Sequence, residues 1–461
     1  MKDYRDFIAS RRPAAIAHGI EPLADLCPAL KPHQRDSVEF ALRVGRAALF
    51  LDTGLGKSLC ALEWARCVAA HTAKPVLILT PPAVAPQFVR EGQKFCIEAR
   101  HVREAEEIVL GINVANYERL THFDGIDFGG VVLDESSILK SFAGKTRQAL
   151  TARFSTTPFR LCCTATPAPN DYMELGNHSE FLGVMPGQDM LQRWFINDTA
   201  EASQEWRLKG HAVGDFWDWV CSWARCLSSP ADLGYDASAY ALPELREITH
   251  QVECDLTANA GETLFRLSGV SATNMHAEQR MSLPARVERV AWLVQAEPSE
   301  PWLIWCETDE QADALREAIP EAVEVRGSHP AEWKESRLLA FVDGRARVLI
   351  TKAKIAGFGL NFQHCARMAF VALNFSYESY YQAIRRCWRF GQKRPVVAHL
   401  ISSDGEAAIF GAVRRKAEQH GTMKAEMLAA VRRAQSRESA VRRAYEAKHR
   451  APVPQWLRTA A

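Results

Sequence analysis

The sequence predicts an α/β protein with two parallel sheets, a tryptophan-rich helical insert between them and a basic helical end, and three observations predict it. Short runs rich in Val, Ile and Leu recur early, as AALFLDT, PVLILTP, GGVVLDE and FRLCCTATP, with amphipathic stretches such as Leu59 to Ala70 between them. Strands that are apolar throughout and alternate with helices belong in a parallel sheet covered on both faces. The pattern returns later as PWLIWCE, RVLITKA, MAFVALN and VVAHLIS. Between the two halves, from about Pro186 to Glu253, the composition changes and Trp194, Trp206, Trp217, Trp219 and Trp223 accumulate. Trp219 and Trp223 stand at i and i+4, and Phe216 and Val220 share that face, a spacing that favours helical core packing over a base-stacking platform.

Bulk properties set the bounds. With 461 residues and 47% hydrophobic content the chain can bury two or three ordinary cores. A net charge of +1 excludes a polycation overall, yet Gly411 to Ala461 carries twelve Lys/Arg against four Glu. That end suits a polyanion and suits a solvated basic helix equally, and the same two accounts hold for Arg432, Arg433, Arg442 and Arg443. The twelve cysteines include no C-x-x-C pair, so neither a zinc site nor a disulfide framework is expected, and a reducing cytoplasm is. MKDYRDFIASRRP lacks the apolar core of a signal peptide, and no apolar run approaches the ~18 residues of a membrane span.

The first chemical motif is FLDTGLGKSLCALEWA, which reads strand, glycine loop, helix. Gly54 and Gly56 let the backbone bend tightly so that amide N–H groups can point at phosphate oxygens. Lys57 supplies a cation for the β- and γ-phosphates, Ser58 a hydroxyl ligand for Mg²⁺, and the helix from Leu59 its positive end. Leu51 stands where the strict eight-residue phosphate-loop template has its first glycine. Next, GGVVLDESSILK puts Asp134 and Glu135 at the end of a buried strand, where ligands bind in open parallel sheets. Such a pair can hold Mg²⁺ and orient an attacking water, and alone it is as readily a helix cap. In RLCCTATPAPN, Thr164 and Thr166 can relay hydrogen bonds between the nucleotide site and a second ligand, although the prolines would make a turn there anyway. In LKPHQRDSVEFAL, Gln34 can pair through its amide with a donor and an acceptor on an adenine edge.

The last motif, YYQAIRRCWRFGQKRP, places Gln382, Arg385, Arg386 and Arg389 on one helical face with no acid nearby in sequence to receive the guanidinium groups. Something anionic must arrive from elsewhere, a bound phosphate or a distant acid. Arg385 is expected to be the most solvent-facing of the three.

LKPHQ, DTGLGKS, LTPPAVAPQFVREGQKF, NYERL, VVLDES, TATPAPN, WLIWCETDEQADAL, AGFGLNF and QAIRRCWRFGQ occur in the order of the helicase motifs of superfamily two. The last resembles the Swi/Snf-type branch, and the compact insert with LGNHSEFLG resembles the minimal DEAD/DEAH-like helicase proteins of phages and prophages. The resemblance spans about Leu30 to Ser402. It implies two tandem RecA-like domains with ATP and Mg²⁺ in the cleft between them and nucleic acid across the top. Carried over, Gln34 reads adenine, Thr53 to Ser58 wrap the phosphates, and Gly359 and Gln382 join the nucleotide contacts. Asp134 binds Mg²⁺ through water, Glu135 is the catalytic base, and Arg386 and Arg389 are arginine fingers. Thr80, Asn116, Lys140, Thr164, Thr166, Gly357 and Asn361 are expected along the nucleic-acid path, on phosphates and without sequence preference. The pattern departs at Ser137, where many relatives have His or Asp, and at Ser58 for Thr, Ala165 for Gly and Trp388 for His.

The expected layout is an extension over 1–27, a first RecA-like domain over 28–185, the insert and linker over 186–284, a second domain over 285–410 and a basic helical tail over 411–461. The function implied is a DNA-dependent ATPase that tracks along double-stranded DNA, with a protein partner to target it and no membrane. A strand-separating helicase, or a nucleotide-gated clamp with little turnover, are the alternatives.

Overall fold

A computed structural model describes residues 17–21, 25–81, 84–141, 144–197, 206–253, 278–353, 355, 362–374, 376–403 and 406–444. Its first half opens with helix α1 (Pro32–Val44) and strand β1 (Arg46–Leu51), followed by α2 (Lys57–Thr72), β2 (Val76–Thr80), α3 (Ala85–Lys94), β3 (Ala99–His101), β4 (Ile112–Asn116) and β5 (Gly130–Asp134). After these come α4 (Lys145–Arg153), β6 (Phe159–Cys163), α5 (Glu174–Leu182), α6 (Gly187–Trp194), a small antiparallel hairpin of β7 (Phe195–Asn197) and β8 (Trp206–Leu208), α7 (Val213–Trp223) and β9 (Ala224–Leu227). The strands lie in the order β3-β4-β2-β5-β6-β1-β9, and every pairing is parallel. The four apolar runs of the first half are β1, β2, β5 and β6, the interior of this sheet. β2, β5 and β6 are buried at every position, which is why they carry no polar alternation.

The second half contains β10 (Leu245–Val252), α8 (Leu283–Ala296), β11 (Trp302–Trp305), α9 (Asp309–Ala318), β12 (Val323–Val325), α10 (Ala331–Val342), β13 (Val348–Thr351), β14 (Arg367–Phe370), α11 (Tyr377–Cys387) and β15 (Val396–Ser403). Its sheet, β10-β15-β14-β11-β13-β12, is also parallel throughout. The two tandem parallel sheets with helical flanks are the RecA-like architecture expected.

The stretch 186–284 differs from the helical or irregular insert expected, because it lends an outer strand to each sheet: β9 pairs with β1, and β10 with β15. β9 (ARCL) follows α7 without a break and carries Arg225, so no separate apolar run marks it. β10, LREITHQV, is a mostly exposed edge strand, and polar residues on such an edge discourage pairing with another chain. The tryptophans are core: Trp217, Trp219 and Trp223 are at most 1% exposed, and Trp219 stacks on Trp194 at 4.6 Å.

The basic end is one helix, α12 (Ala407–Ala444), and from its start to Val431 it is not a free tail. Ile409 and Val413 belong to the second core; Met423, Met427 and Ala430 belong to the first, against α7 and β9. Arg433 pairs with Asp218 of α7 at 2.7 Å. The helix therefore straps the two halves together.

Candidate nucleotide site

The loop between β1 and α2 lies mid-sheet, with β6 on one side and β9 on the other. It turns through left-handed backbone at Gly54 (φ 91°) and Gly56 (φ 84°). A Cβ at Gly56 would come within 2.1 Å of Gln34 Nε2, and one at Gly54 within 3.0 Å of Phe390 Cβ, so both positions need glycine for conformation and for space. The N-terminus of α2 follows at once, the arrangement that receives a phosphate. Lys57 Nζ donates to the Leu51 carbonyl at 2.9 Å, folded over the loop it serves. Gln34 is buried; its Nε2 donates to the Leu55 carbonyl at 3.0 Å and its Oε1 accepts from the Lys31 amide at 2.9 Å. As placed, Gln34 braces the loop, and reading a base edge requires one of these bonds to open.

β6 separates β5 from β1, so the residues just past β6 stand between the acidic pair and the loop. Thr164 Oγ1 donates to Glu135 Oε2 at 3.4 Å, and the Thr166 amide donates to Thr164 Oγ1 at 3.1 Å. Glu135 itself adopts φ 52°, left-handed backbone on a residue with a side chain. Tyr117 Oη donates to the Asp134 carbonyl at 2.7 Å. Burial, then the neighbouring Glu135, push the Asp134 carboxyl up to about 8 against the pull of Lys57. The Ser58 hydroxyl bonds to Glu91 of α3, whose carboxyl burial raises while Ser58, Lys94 and Arg389 draw it down. A hydroxyl and a buried carboxylate short of positive charge fit the hard-oxygen donor set of Mg²⁺. No group of three or more His, Cys, Asp or Glu side chains among the described residues could hold a metal alone, so such an ion would keep water and phosphate ligands here.

The arginine helix α11 packs on this loop. Arg385, expected towards solvent, is instead 5% exposed. It pairs with Asp52 at 3.0 Å and donates to the Thr53 carbonyl at 3.1 Å, because the acid that receives it lies in the other half of the chain. Burial lowers the proton affinity of Arg386, and Glu135 opposes the shift, which puts this guanidinium within reach of the Glu135 charge. Arg389 is brought down to about 10 by burial and then by Arg386 and Arg385, with Glu91 opposing. Gln382 donates weakly to Glu378 Oε1 at 3.5 Å, and Trp388 Nε1 anchors on the Pro243 carbonyl at 2.7 Å. Phe390 lies 4.8 Å from the Tyr240 ring, with Lys31 Nζ over both.

The residues expected along a nucleic-acid path fare differently. Thr80 and Asn116 are register partners at the ends of β2 and β4. Thr80, Thr164 and Thr166 are fully buried, so in this conformation they present no surface to a polyanion; the ends of central strands are covered here. Asn116 is half-buried. Lys140 is engaged by Glu378 of α11 at 2.5 Å, a bridge between the two halves. Gly357, Gly359 and Asn361 lie outside the described residues.

Sequence reasoning missed Glu91, Asp52, Tyr381 and Lys424. Asp52 and Glu91 sit inside quoted motifs but no spacing distinguishes them, and the pairing of Lys424 with Asp52 spans 372 positions, beyond any local pattern.

Comparison with known proteins adds the following. The profile of the helicase conserved C-terminal domain matches residues 285–391. TATA-binding protein-associated factor 172 of Homo sapiens is 28% identical over 193 residues, 34% of this chain and 10% of that protein. DNA repair and recombination protein RAD54B of Gallus gallus is 30% identical over 191 residues, 34% of this chain and 20% of that protein. The chain thus spans a fifth or less of these relatives' length. Among solved structures, the Sulfolobus solfataricus SWI2/SNF2 ATPase core in complex with dsDNA aligns with a TM-score of 0.43 at 16% identity, covering 83% of this chain and 90% of that one.

Proposed function

We propose that the chain, similar over residues 285–391 to the helicase conserved C-terminal domain, is a Swi/Snf-type ATPase of helicase superfamily two, dependent on DNA and translocating along the duplex. The observation that carries this reading is the seating of α11 on the phosphate loop. Arg385 bonds the Thr53 carbonyl and Phe390 abuts Gly54, while Arg386 lies under the influence of Glu135. A loop, an acid and arginines from the opposite half thus converge, as phosphoryl transfer to water requires.

In this reading Lys57 leaves the Leu51 carbonyl for the β- and γ-phosphates. Glu135, steadied by Thr164, takes the proton of the attacking water. Arg386 and Arg389 meet the charge that develops on the γ-phosphate oxygens. Ser58 and Asp134 would hold Mg²⁺, which when bound would supply neutralisation of the phosphate charge. Closure of the two halves on ATP and release after hydrolysis give alternating grip on a backbone. The name of the RAD54B relative, a DNA repair and recombination protein, favours DNA over RNA.

Steady-state ATP hydrolysis with duplex DNA, single-stranded DNA and RNA as competing stimulators tests the reading. Duplex DNA should stimulate most, and Lys57→Ala should abolish turnover while leaving DNA binding largely intact. Triplex displacement without strand displacement is the expected motor signature. Equal basal turnover with all three polymers would overturn the DNA-dependent motor.

A further inference from the structure

Asp52, the residue before the phosphate loop turns, is where both halves and the C-terminal helix meet. It is 9% exposed. Its Oδ1 takes the Arg385 guanidinium at 3.0 Å and the Thr53 amide at 2.6 Å, and its Oδ2 takes Lys424 Nζ at 3.1 Å. Tyr381 Oη donates to Oδ1, and Lys424 Nζ donates to the same phenol oxygen at 3.3 Å. Arg385 and Tyr381 come from α11 and Lys424 from α12. Met423 and Met427 are fully buried on either side of Lys424, which fixes the rotation of α12 and aims the ammonium inward.

We propose that Lys424 is a positioning residue of the nucleotide site: with Arg385 it clamps the two oxygens of Asp52, and this clamp holds the phosphate loop in the shape and the positive local charge that a triphosphate needs. The inference rests on the ATP reading above. A buried carboxylate at the root of a loop that receives a trianion repels it unless it is neutralised. One cation leaves the site neutral, and the second makes the cluster net positive. The clamp also commits Arg385 to the loop rather than to the γ-phosphate. Burial of Asp52 opposes its ionisation, yet Lys424 and Arg385 together hold its carboxyl far below the usual range, and Lys424 is held above the usual lysine range by Tyr381 and Asp52 against its own burial.

The test uses the purified full chain with Lys424→Met, Lys424→Arg, Asp52→Asn and the double variant Asp52→Asn/Lys424→Met. A fluorescent non-hydrolysable ATP analogue reports Kd, steady-state hydrolysis reports KM and kcat, and hydrogen exchange reports the amides of α12. Lys424→Met should raise Kd and KM about tenfold with a much smaller change in kcat. Lys424→Arg should restore most of the affinity, since it returns the charge. In the double variant the further loss beyond Asp52→Asn alone should be well below tenfold, because without the carboxylate the lysine keeps only its direct attraction for the triphosphate. The proposal is overturned if Lys424→Met loosens α12 to exchange yet binds the analogue as wild type does. It is also overturned if the effects of the two single substitutions simply multiply. Wild-type protein that binds no ATP analogue would end the ATP reading itself. Wild-type binding with an indifferent Lys424→Met would end this inference alone.

Discussion

Glu135 holds left-handed backbone (φ 52°) at a cost of roughly 1–3 kcal/mol, and its neighbours keep it there: Asp134 closes β5, and Thr164 bonds the carboxylate from β6. Glu135→Gln should therefore keep the geometry and lose the base. Single-turnover hydrolysis should fall by ~10²–10⁴ while the protein retains bound nucleotide on a spin column. Arg389→Ala should still bind ATP but hydrolyse it ~10³–10⁵ more slowly, and normal turnover would remove the finger assignment. A second buried acid behaves differently. Glu174, 5% exposed, accepts from the Asn170 amide at 3.2 Å and from Asn170 Nδ2 at 2.8 Å, yet burial pushes its carboxyl up to about 7 from an ordinary 4.5. Below 4.5 the group is protonated whether the chain is folded or not. Between 4.5 and 7 the unfolded chain releases its proton first, so rising pH lowers stability, and above 7 the whole penalty is present. Glu174→Gln, which can still accept from Asn170, should raise stability at pH 8 by up to about 3 kcal/mol and change little at pH 4, as read from urea midpoints.

The elements were legible in proportion to how fully they are buried. The central strands β1, β2, β5 and β6, and β11, β13, β14 and β15, are mostly apolar because helices cover both faces, with Arg160 in β6 and His399 in β15 as buried polar exceptions, and the glycine loop is legible because Gly54 and Gly56 adopt backbone that other residues avoid. β9 and β10 were not legible, the one running on from the tryptophan helix without a break and the other polar and exposed at an edge. The clamp on Asp52 escaped because its partners come from α11 and α12, hundreds of positions away, and a pairing made by tertiary folding leaves no local period. The helical insert was legible in its spacing. Trp219 stacks on Trp194 at 4.6 Å and meets Trp223 edge to face at 5.5 Å. Trp219→Ala should lower stability by about 3–5 kcal/mol, measured by chemical denaturation. A loss confined to DNA binding, with stability intact, would instead make the insert a base-stacking platform.

The molecule as a whole is two sheets under one strap. The N-terminal part of α12 completes the second core and its middle completes the first. Arg385, Lys424 and Lys140 pin the seam between the halves. Calorimetry should accordingly show a single unfolding transition, with calorimetric and van't Hoff enthalpies in agreement. Two resolved transitions would mean that the halves melt independently in spite of the strap. The same helix has a consequence for biosynthesis. The ribosome finishes β9 at Leu227 but delivers Met427 only two hundred residues later, about 10–40 s at ~5–20 residues per second. Throughout that interval the tryptophan helix stands partly uncovered on the nascent polypeptide, where a chaperone or an early contact with the emerging second sheet would shield it until α12 has emerged.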